Sequence, residues 1–178
     1  MTTGKLKHIS PECAVSFSGH RPERLPGKGD LNTPEAQRLA AALREQIEAA
    51  IGRGKIFFLN GGMAGFDIFA MEQVAEMKKQ YPQIQLVTVA PYKVDFFSRE
   101  KCWTPDWENR AREIFSKQDI GVKVAERYRS GIYYERNKVL IDYSSELICY
   151  WDGGKGGTKF TYDYAVDHGL KITNLFLK

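Results

Sequence analysis

Short apolar runs alternate along the chain with longer stretches whose apolar residues recur every third or fourth position. Cys13-Ala14-Val15-Ser16-Phe17-Ser18 reads as a buried strand that empties into Gly19-His20-Arg21-Pro22 and a glycine- and proline-rich loop through Asp30. Thr33-Pro34-Glu35 supplies a capping hydroxyl, a proline at the first helical position and an acid in the first turn, which together make a helix start. Ala36, Leu39, Ala40, Leu43, Ile47 and Ile51 keep helical spacing until Gly52 and Gly54. The next strand, Lys55 to Leu59, has apolar residues on both faces, as a central parallel strand does. It leads into Asn60-Gly61-Gly62-Met63-Ala64-Gly65-Phe66-Asp67.

A stripe of Phe66, Phe69, Ala70, Val74 and Met77 predicts a second helix, stopped at Tyr81-Pro82, and Gln85 to Ala90 predicts the third strand. Tyr92 to Pro105 is irregular and aromatic, long enough to serve as a functional loop. Beyond it the pattern predicts a helix over 106–117, an edge strand over 119–124, a helix over 130–143 and a strand over 146–151. A last helix over 159–168, closed by Gly169, precedes a strand over 171–176. Strands alternating with helices specify an α/β fold: a single Rossmann-like domain whose mostly parallel sheet is flanked by helices on both faces. The 178 residues suit one domain and show neither repeats nor linkers.

Composition narrows the function classes. A net charge of +4 suits small anionic ligands, but it is spread too evenly to favour nucleic acid as a partner. The three cysteines are widely spaced and odd in number, which fits reduced thiols in a cytoplasmic protein and supplies no metal spacing. No apolar run is long enough to span a bilayer, so no membrane partner is expected.

The chemistry gathers in loops that leave strand carboxyl ends, where α/β folds bind ligands. These are Gly19-His20-Arg21, then Asn60-Gly61-Gly62 with Gly65 and Asp67, then Gly153-Gly154-Lys155-Gly156-Gly157-Thr158. The last packs four glycines into five positions just before a helix, whose free N–H groups and dipole suit a phosphate. Thr158 either caps that helix or offers its hydroxyl to an oxyanion. Neither glycine loop ends in the Gly-Lys-Ser/Thr of a P-loop. Arg136 shares a helical stripe with Tyr133, Leu140 and Tyr143, so its guanidinium must pair with an acid or meet a ligand phosphate or carboxylate. Asn137 suits a ligand hydroxyl or a water. His20 reads as a structural residue or a ligand contact, Arg21 as a phosphate partner, and Asp67 as a ribose contact or a helix cap. Phe96, Trp103, Tyr133 and Tyr134 either stack on a base or pack. Arg127-Tyr128-Arg129 reads as a solvated loop or a polyanion contact.

Glu135-Arg136-Asn137, Ser144, the apolar strand and Gly153 to Thr158 together resemble the SLOG superfamily, which includes the LOG-type phosphoribohydrolases and the DprA-like proteins. With Gly19-His20-Arg21-Pro22 and Gly61 to Asp67 added, the chain is most similar to the DUF1273 (YpsA/YoqJ-like) group, from about Ala14 to Leu175. The resemblance implies a Rossmann-like domain that binds a nucleotide or a nucleotide-derived, ribose-phosphate ligand, with no cofactor required. LOG enzymes cleave the N-glycosidic bond of nucleoside 5′-monophosphates with an arginine and a glutamate. Arg136 matches the arginine, but Thr161 stands where the glutamate falls and Trp151-Asp152 where the family has proline. That glutamate would steady the developing oxocarbenium or activate water. The leading expectation is therefore a sensor or regulatory module. A phosphoribohydrolase using Asp67 or Asp163 comes second, and single-stranded nucleic-acid binding third. Relatives of the fold often pair, which makes the aromatic segment Trp103 to Trp107 a candidate homodimer contact.

Overall fold

A computed structural model describes residues 3–93 and 100–177, so Phe96 lies outside the described residues. In chain order the elements are β1 (Ala14–Gly19), α1 (Pro34–Gly52), β2 (Phe57–Asn60), α2 (Phe66–Met77), β3 (Gln85–Ala90), α3 (Pro105–Ser116), β4 (Ile120–Lys123), α4 (Ile132–Asp142), β5 (Glu146–Tyr150), α5 (Gly157–Asp167) and β6 (Lys171–Asn174). Local chemistry sets the helix starts. Thr33 Oγ1 accepts from Ala36 N at 3.3 Å ahead of Pro34, and Thr104 Oγ1 accepts from Trp107 N at 3.4 Å ahead of Pro105. The chain ends its last strand earlier than the apolar run predicts. Asn174 Oδ1 accepts from Trp151 N and Phe176 N while its amide donates to Trp151 O at 2.8 Å, and Leu175–Leu177 then curls into a 3-10 turn.

The strands form one sheet in the order β4-β3-β2-β1-β5-β6, and every pairing is parallel. Parallel neighbours joined by right-handed crossovers put α1, α2 and α3 on one face and α4 with α5 on the other. Strands covered on both faces must be apolar throughout, and β1, β2, β3 and β5 are buried almost end to end, whereas β4 and β6 form the edges. Phe17 and Phe58 stack at 6.2 Å between neighbouring strands, with Phe66 and Phe69 of α2 fully buried on the sheet. A smaller cluster of Ile141, Leu147, Cys149 and Ala165 closes the α4–α5 side, where burial pushes the Cys149 thiol up to about 12.

The amino ends of the strands are locked by charge. Glu146, 6% exposed at the start of β5, takes a bidentate grip from Arg53 at 2.9 and 2.6 Å and lies 3.5 Å from Lys55 Nζ. Lys55 also donates to Glu12 O and Ser145 Oγ at 2.6 and 2.7 Å. Burial raises the carboxyl pKa, but the Arg53 hydrogen bonds and the Lys55 charge outweigh it and hold the group below its ordinary value. A depressed carboxylate stabilises the fold above its unfolded pKa of about 4.3 and loses that contribution as pH falls through the folded value. Glu146→Ala, which strands two cations, is expected to lower the unfolding free energy by about 3 kcal/mol at pH 7. Urea titrations should show the gap from wild type closing below pH 4.

Candidate functional site

The β1 connection turns toward β2 and the β5 connection toward β6, so a crevice opens between them at the carboxyl edge. Gly19 lies opposite Tyr150 in the parallel register, which sets the two loops side by side. A cavity of about 230 Å³ occupies this crevice. Gly19, His20, Arg21, Asp67, Arg136, Asn137, Gly156, Gly157 and Thr158 all line it, joined by Arg24, Tyr133 and Lys155.

Arg136 follows from the α4 stripe and is 5% exposed. Its Nε donates to Asn137 Oδ1 at 2.8 Å, and its Nη1 lies 3.8 Å from Asp67 Oδ2, beyond hydrogen-bond reach. Nη1 has no hydrogen-bond partner among the described residues. Both expectations for Arg136 thus meet in one geometry: it faces an acid and it borders the cavity. Asp67 is 8% exposed and accepts from Met63 N at 3.3 Å. Burial raises its pKa against the opposing charges of Arg136 and Arg21. Burial likewise pulls the Arg136 pKa down, though a guanidinium keeps its proton in proteins. Asp67 does not cap α2; Gly65 holds that position.

The Asn60–Gly65 turn lies outside the cavity lining and is buried. Asn60 donates to Val87 O at 2.9 Å and accepts from Gly62 N at 2.9 Å, which ties the turn to β3. Gly61 leaves room for the guanidinium, since a Cβ there would overlap Arg136 Nη1 and stand 2.7 Å from Asp67 Oδ2. Gly65, at φ 103°, brings the start of α2 against the β1 exit, where Phe66 N donates to His20 O at 3.0 Å. A Cβ on Gly65 would collide with that carbonyl and lie 2.8 Å from Arg21 Cα.

His20 is 6% exposed and bridges the two loops. Its Nε2 lies 3.1 Å from Asp152 N and 2.9 Å from Asp152 Oδ1. The neutral ring accepts from the amide and the protonated ring donates to the carboxylate, so the imidazole has a partner in either state. Burial, with Arg24 nearby, lowers the His20 pKa and keeps the ring neutral at pH 7. Arg24 and the Gly154 N–H hold the Asp152 carboxyl down to about 2. Arg21, the expected phosphate partner, pairs with Glu100 at 3.0 Å. Asp152, Arg24 and Glu100 carry no local sequence signal, because their partners sit on other loops that only strand register brings together.

Gly153 and Gly154 do not line the cavity. They turn the loop, with Gly154 N donating to Asp152 Oδ1 at 2.9 Å and Trp151 Nε1 donating to Gly154 O at 2.7 Å. α5 starts two residues earlier than its apolar spacing predicts, with Gly156 at the cap position and Thr158 second in the helix, so Thr158 is not the cap. No side chain caps α5, which leaves its first amides to the crevice. Thr161 is fully buried and donates to Gly157 O at 3.0 Å, while Asp163 pairs with Lys159 outside the lining. Tyr133 borders the cavity with its hydroxyl 3.4 Å from that of Tyr92. Tyr134 packs on Phe160 at 4.7 Å instead. Trp103 and Trp107 are 8% and 5% exposed, so neither indole of the suggested dimer segment faces outward. Arg129 of the basic loop pairs with Glu135. Among the described residues no helix is long and apolar enough to cross a membrane, and no three His, Cys, Asp or Glu side chains cluster as a metal site.

Comparisons with known proteins agree on the architecture. The family model YpsA (YspA SLOG family) matches residues 15–174. The SPbeta prophage-derived protein YoqJ of Bacillus subtilis is 28% identical over 148 residues, covering 76% of this chain and 84% of that protein. YpsA of B. subtilis is 23% identical over 146 residues, or 81% and 78% of the two chains. Among solved structures, DNA processing protein A from Helicobacter pylori, described by its single-stranded DNA binding mode, superposes with a TM-score of 0.57 at 20% identity. That match covers 95% of this chain and 66% of the other. The protein TM1055 superposes with a TM-score of 0.52 at 18% identity, over 89% and 71%.

The packing of Gly65 on the β1 exit is testable. Gly65→Ala forces a side chain into left-handed backbone against a carbonyl, and should cost about 3 kcal/mol. Chemical denaturation would read this as a lower midpoint with an unchanged slope.

Proposed function

The chain belongs to the YpsA (YspA SLOG) family, and from this premise we propose that it binds a nucleotide or nucleotide-derived ribose-phosphate ligand in the β1–β5 crevice, as a sensor or regulatory module. The observation that carries the reading is Arg136, a side chain that lines the cavity and whose buried Nη1 has no hydrogen-bond partner among the described residues. Such a donor is costly unless an acceptor reaches it. The uncapped start of α5, Lys155 and Thr158 line the same space and complete an anion site with amides, charge and a hydroxyl. Asn137 stands between Arg136 and Gly157, placed for a ligand hydroxyl.

Thr161 supports binding over turnover. Its hydroxyl is spent on its own helix, and it brings no carboxylate to the position where the LOG enzymes carry one. Of the two substitute acids, Asp67 lines the cavity and Asp163 does not. Hydrolysis through Asp67 is therefore the second reading, and release of free base from AMP, GMP or CMP is its signature. A third reading, single-stranded nucleic acid, draws support from the likeness to DNA processing protein A. It requires affinity for an oligonucleotide that falls steeply with salt.

Thermal unfolding against AMP, GMP, CMP, ADP-ribose, NAD, NADP and cyclic dinucleotides tests the leading reading, since a ligand of the native state raises the midpoint with its concentration. A rise with a phosphoribosyl compound is expected. Arg136→Ala should weaken that ligand more than about tenfold, or about 1.4 kcal/mol, while the ligand-free midpoint holds. Unfolding of Arg136→Ala without ligand would instead mark the pairing with Asp67 as structural.

A further inference from the structure

Arg136 does not border the cavity alone. Asp67 lines the same space, and both side chains converge over Gly61, where a Cβ would stand 2.7 Å from Asp67 Oδ2 and overlap Arg136 Nη1. An oxyanion that meets the Arg136 guanidinium from the cavity therefore also meets the Asp67 carboxylate, whose Oδ2 lies 3.8 Å from Nη1. Two anionic oxygens in such surroundings repel unless a proton lies between them. Ligands differ in whether they bring that proton. A phosphomonoester carries one with a pKa of about 6. Sulfate, phosphodiesters and internal pyrophosphates have none to offer near neutral pH.

We propose that Asp67 determines specificity by accepting a hydrogen bond from a protonated phosphate oxygen, so that the crevice selects terminal phosphomonoesters over diesters, internal pyrophosphates and sulfate. This deepens the binding reading above and rests on it. It narrows the ligand class to compounds with a phosphate terminus, separating nucleoside monophosphates from NAD, ADP-ribose and cyclic dinucleotides.

The groups around Asp67 fit the role. Arg136 faces it from α4, with Tyr133 beside that guanidinium, and Arg21 faces it from the loop after β1, while the Gly61 and Met63 amides point at it from the turn before α2. Glu100 sits behind Arg21 and Tyr133, while His20, Glu23, Arg24 and Lys155 complete the wall. Burial outweighs the two arginines and raises the Asp67 pKa, which favours sharing a proton. Arg21 is already engaged by Glu100, so the charge it can give to Asp67 or to a ligand is divided.

The test compares inorganic phosphate with sulfate, and AMP with 3′,5′-cyclic AMP, by calorimetry on the wild type and on Asp67→Asn between pH 6 and 8.5. Wild type should prefer phosphate to sulfate and AMP to the cyclic diester by about tenfold or more, the worth of one pKa unit. Above pH 7, where AMP is a dianion, its binding should take up a proton and weaken with rising pH by up to about tenfold per unit. Asp67→Asn should bind phosphate and sulfate within about twofold of each other and lose the proton uptake, because an amide donates to any oxyanion. His20 is common to both proteins, so the difference between them isolates Asp67. If Asp67→Asn does not fold, the wild-type phosphate-to-sulfate ratio and its proton uptake in two buffers of different ionisation enthalpy decide the matter. AMP binding without discrimination or proton uptake, or binding of ADP-ribose without AMP or phosphate, overturns this inference and leaves the binding reading standing. No binding of any of these compounds overturns both.

Discussion

Burying the Arg136 guanidinium on the inner face of α4 costs several kcal/mol in lost hydration, and the loops around it are shaped to offset that cost. Gly61 clears the space, Asp67 supplies the opposing charge, and Asn137 accepts from Nε. For Asp67 to stand there, α2 must begin against the exit of β1, which Gly65 permits and the Phe66–His20 hydrogen bond holds. His20 in turn reaches Asp152 on the loop after β5. A chain of dependence thus runs from one cation through the loops that surround it, on both faces of the sheet.

The other arginines of the crevice are managed differently. Arg21 and Arg24 are each tied to a carboxylate from a segment far along the chain, Glu100 and Asp152. Each pair is partly exposed, where an ion pair contributes little stability but fixes geometry. Their positive ends stay at the wall of the cavity with their positions set in advance, which limits the ordering a ligand must impose. Arg136 differs because the acid it faces, Asp67, lies beyond hydrogen-bond distance.

Most of the architecture is legible in the sequence. β1, β2, β3 and β5 are written as apolar runs because strands covered on both faces admit little else, and Thr33-Pro34 marks the start of α1 by its own chemistry. Arg136 was legible too, since a guanidinium amid Tyr133 and Leu140 demands a partner. The Gly61–Gly65 turn shows where reading stops. Glycine is selected alike by a ligand, a neighbouring side chain or a left-handed turn. Only the fold shows that Gly61 yields to Arg136 and Gly65 to the His20 carbonyl, while Gly156 and Gly157 border open space. The early start of α5 was hidden for a related reason: glycines hold its cap and its first position, without a capping side chain. Glu100 and Asp152 were silent because their partners are set by tertiary register.

The sheet order carries a consequence for how the molecule comes to be made. β1 spans Ala14–Gly19, yet one of its two neighbours is β5, Glu146–Tyr150. During synthesis the strands β1 to β4 can assemble as soon as they emerge, but they present β1 as an open edge, a row of unpaired backbone groups beside fully buried side chains. That edge stays uncovered until most of the chain has left the ribosome, and pairings so distant in sequence are slow to form. The β1–β5 seam, and the crevice at its end, therefore forms only after β1 to β4 have emerged, and the nascent chain is exposed to association until that seam closes.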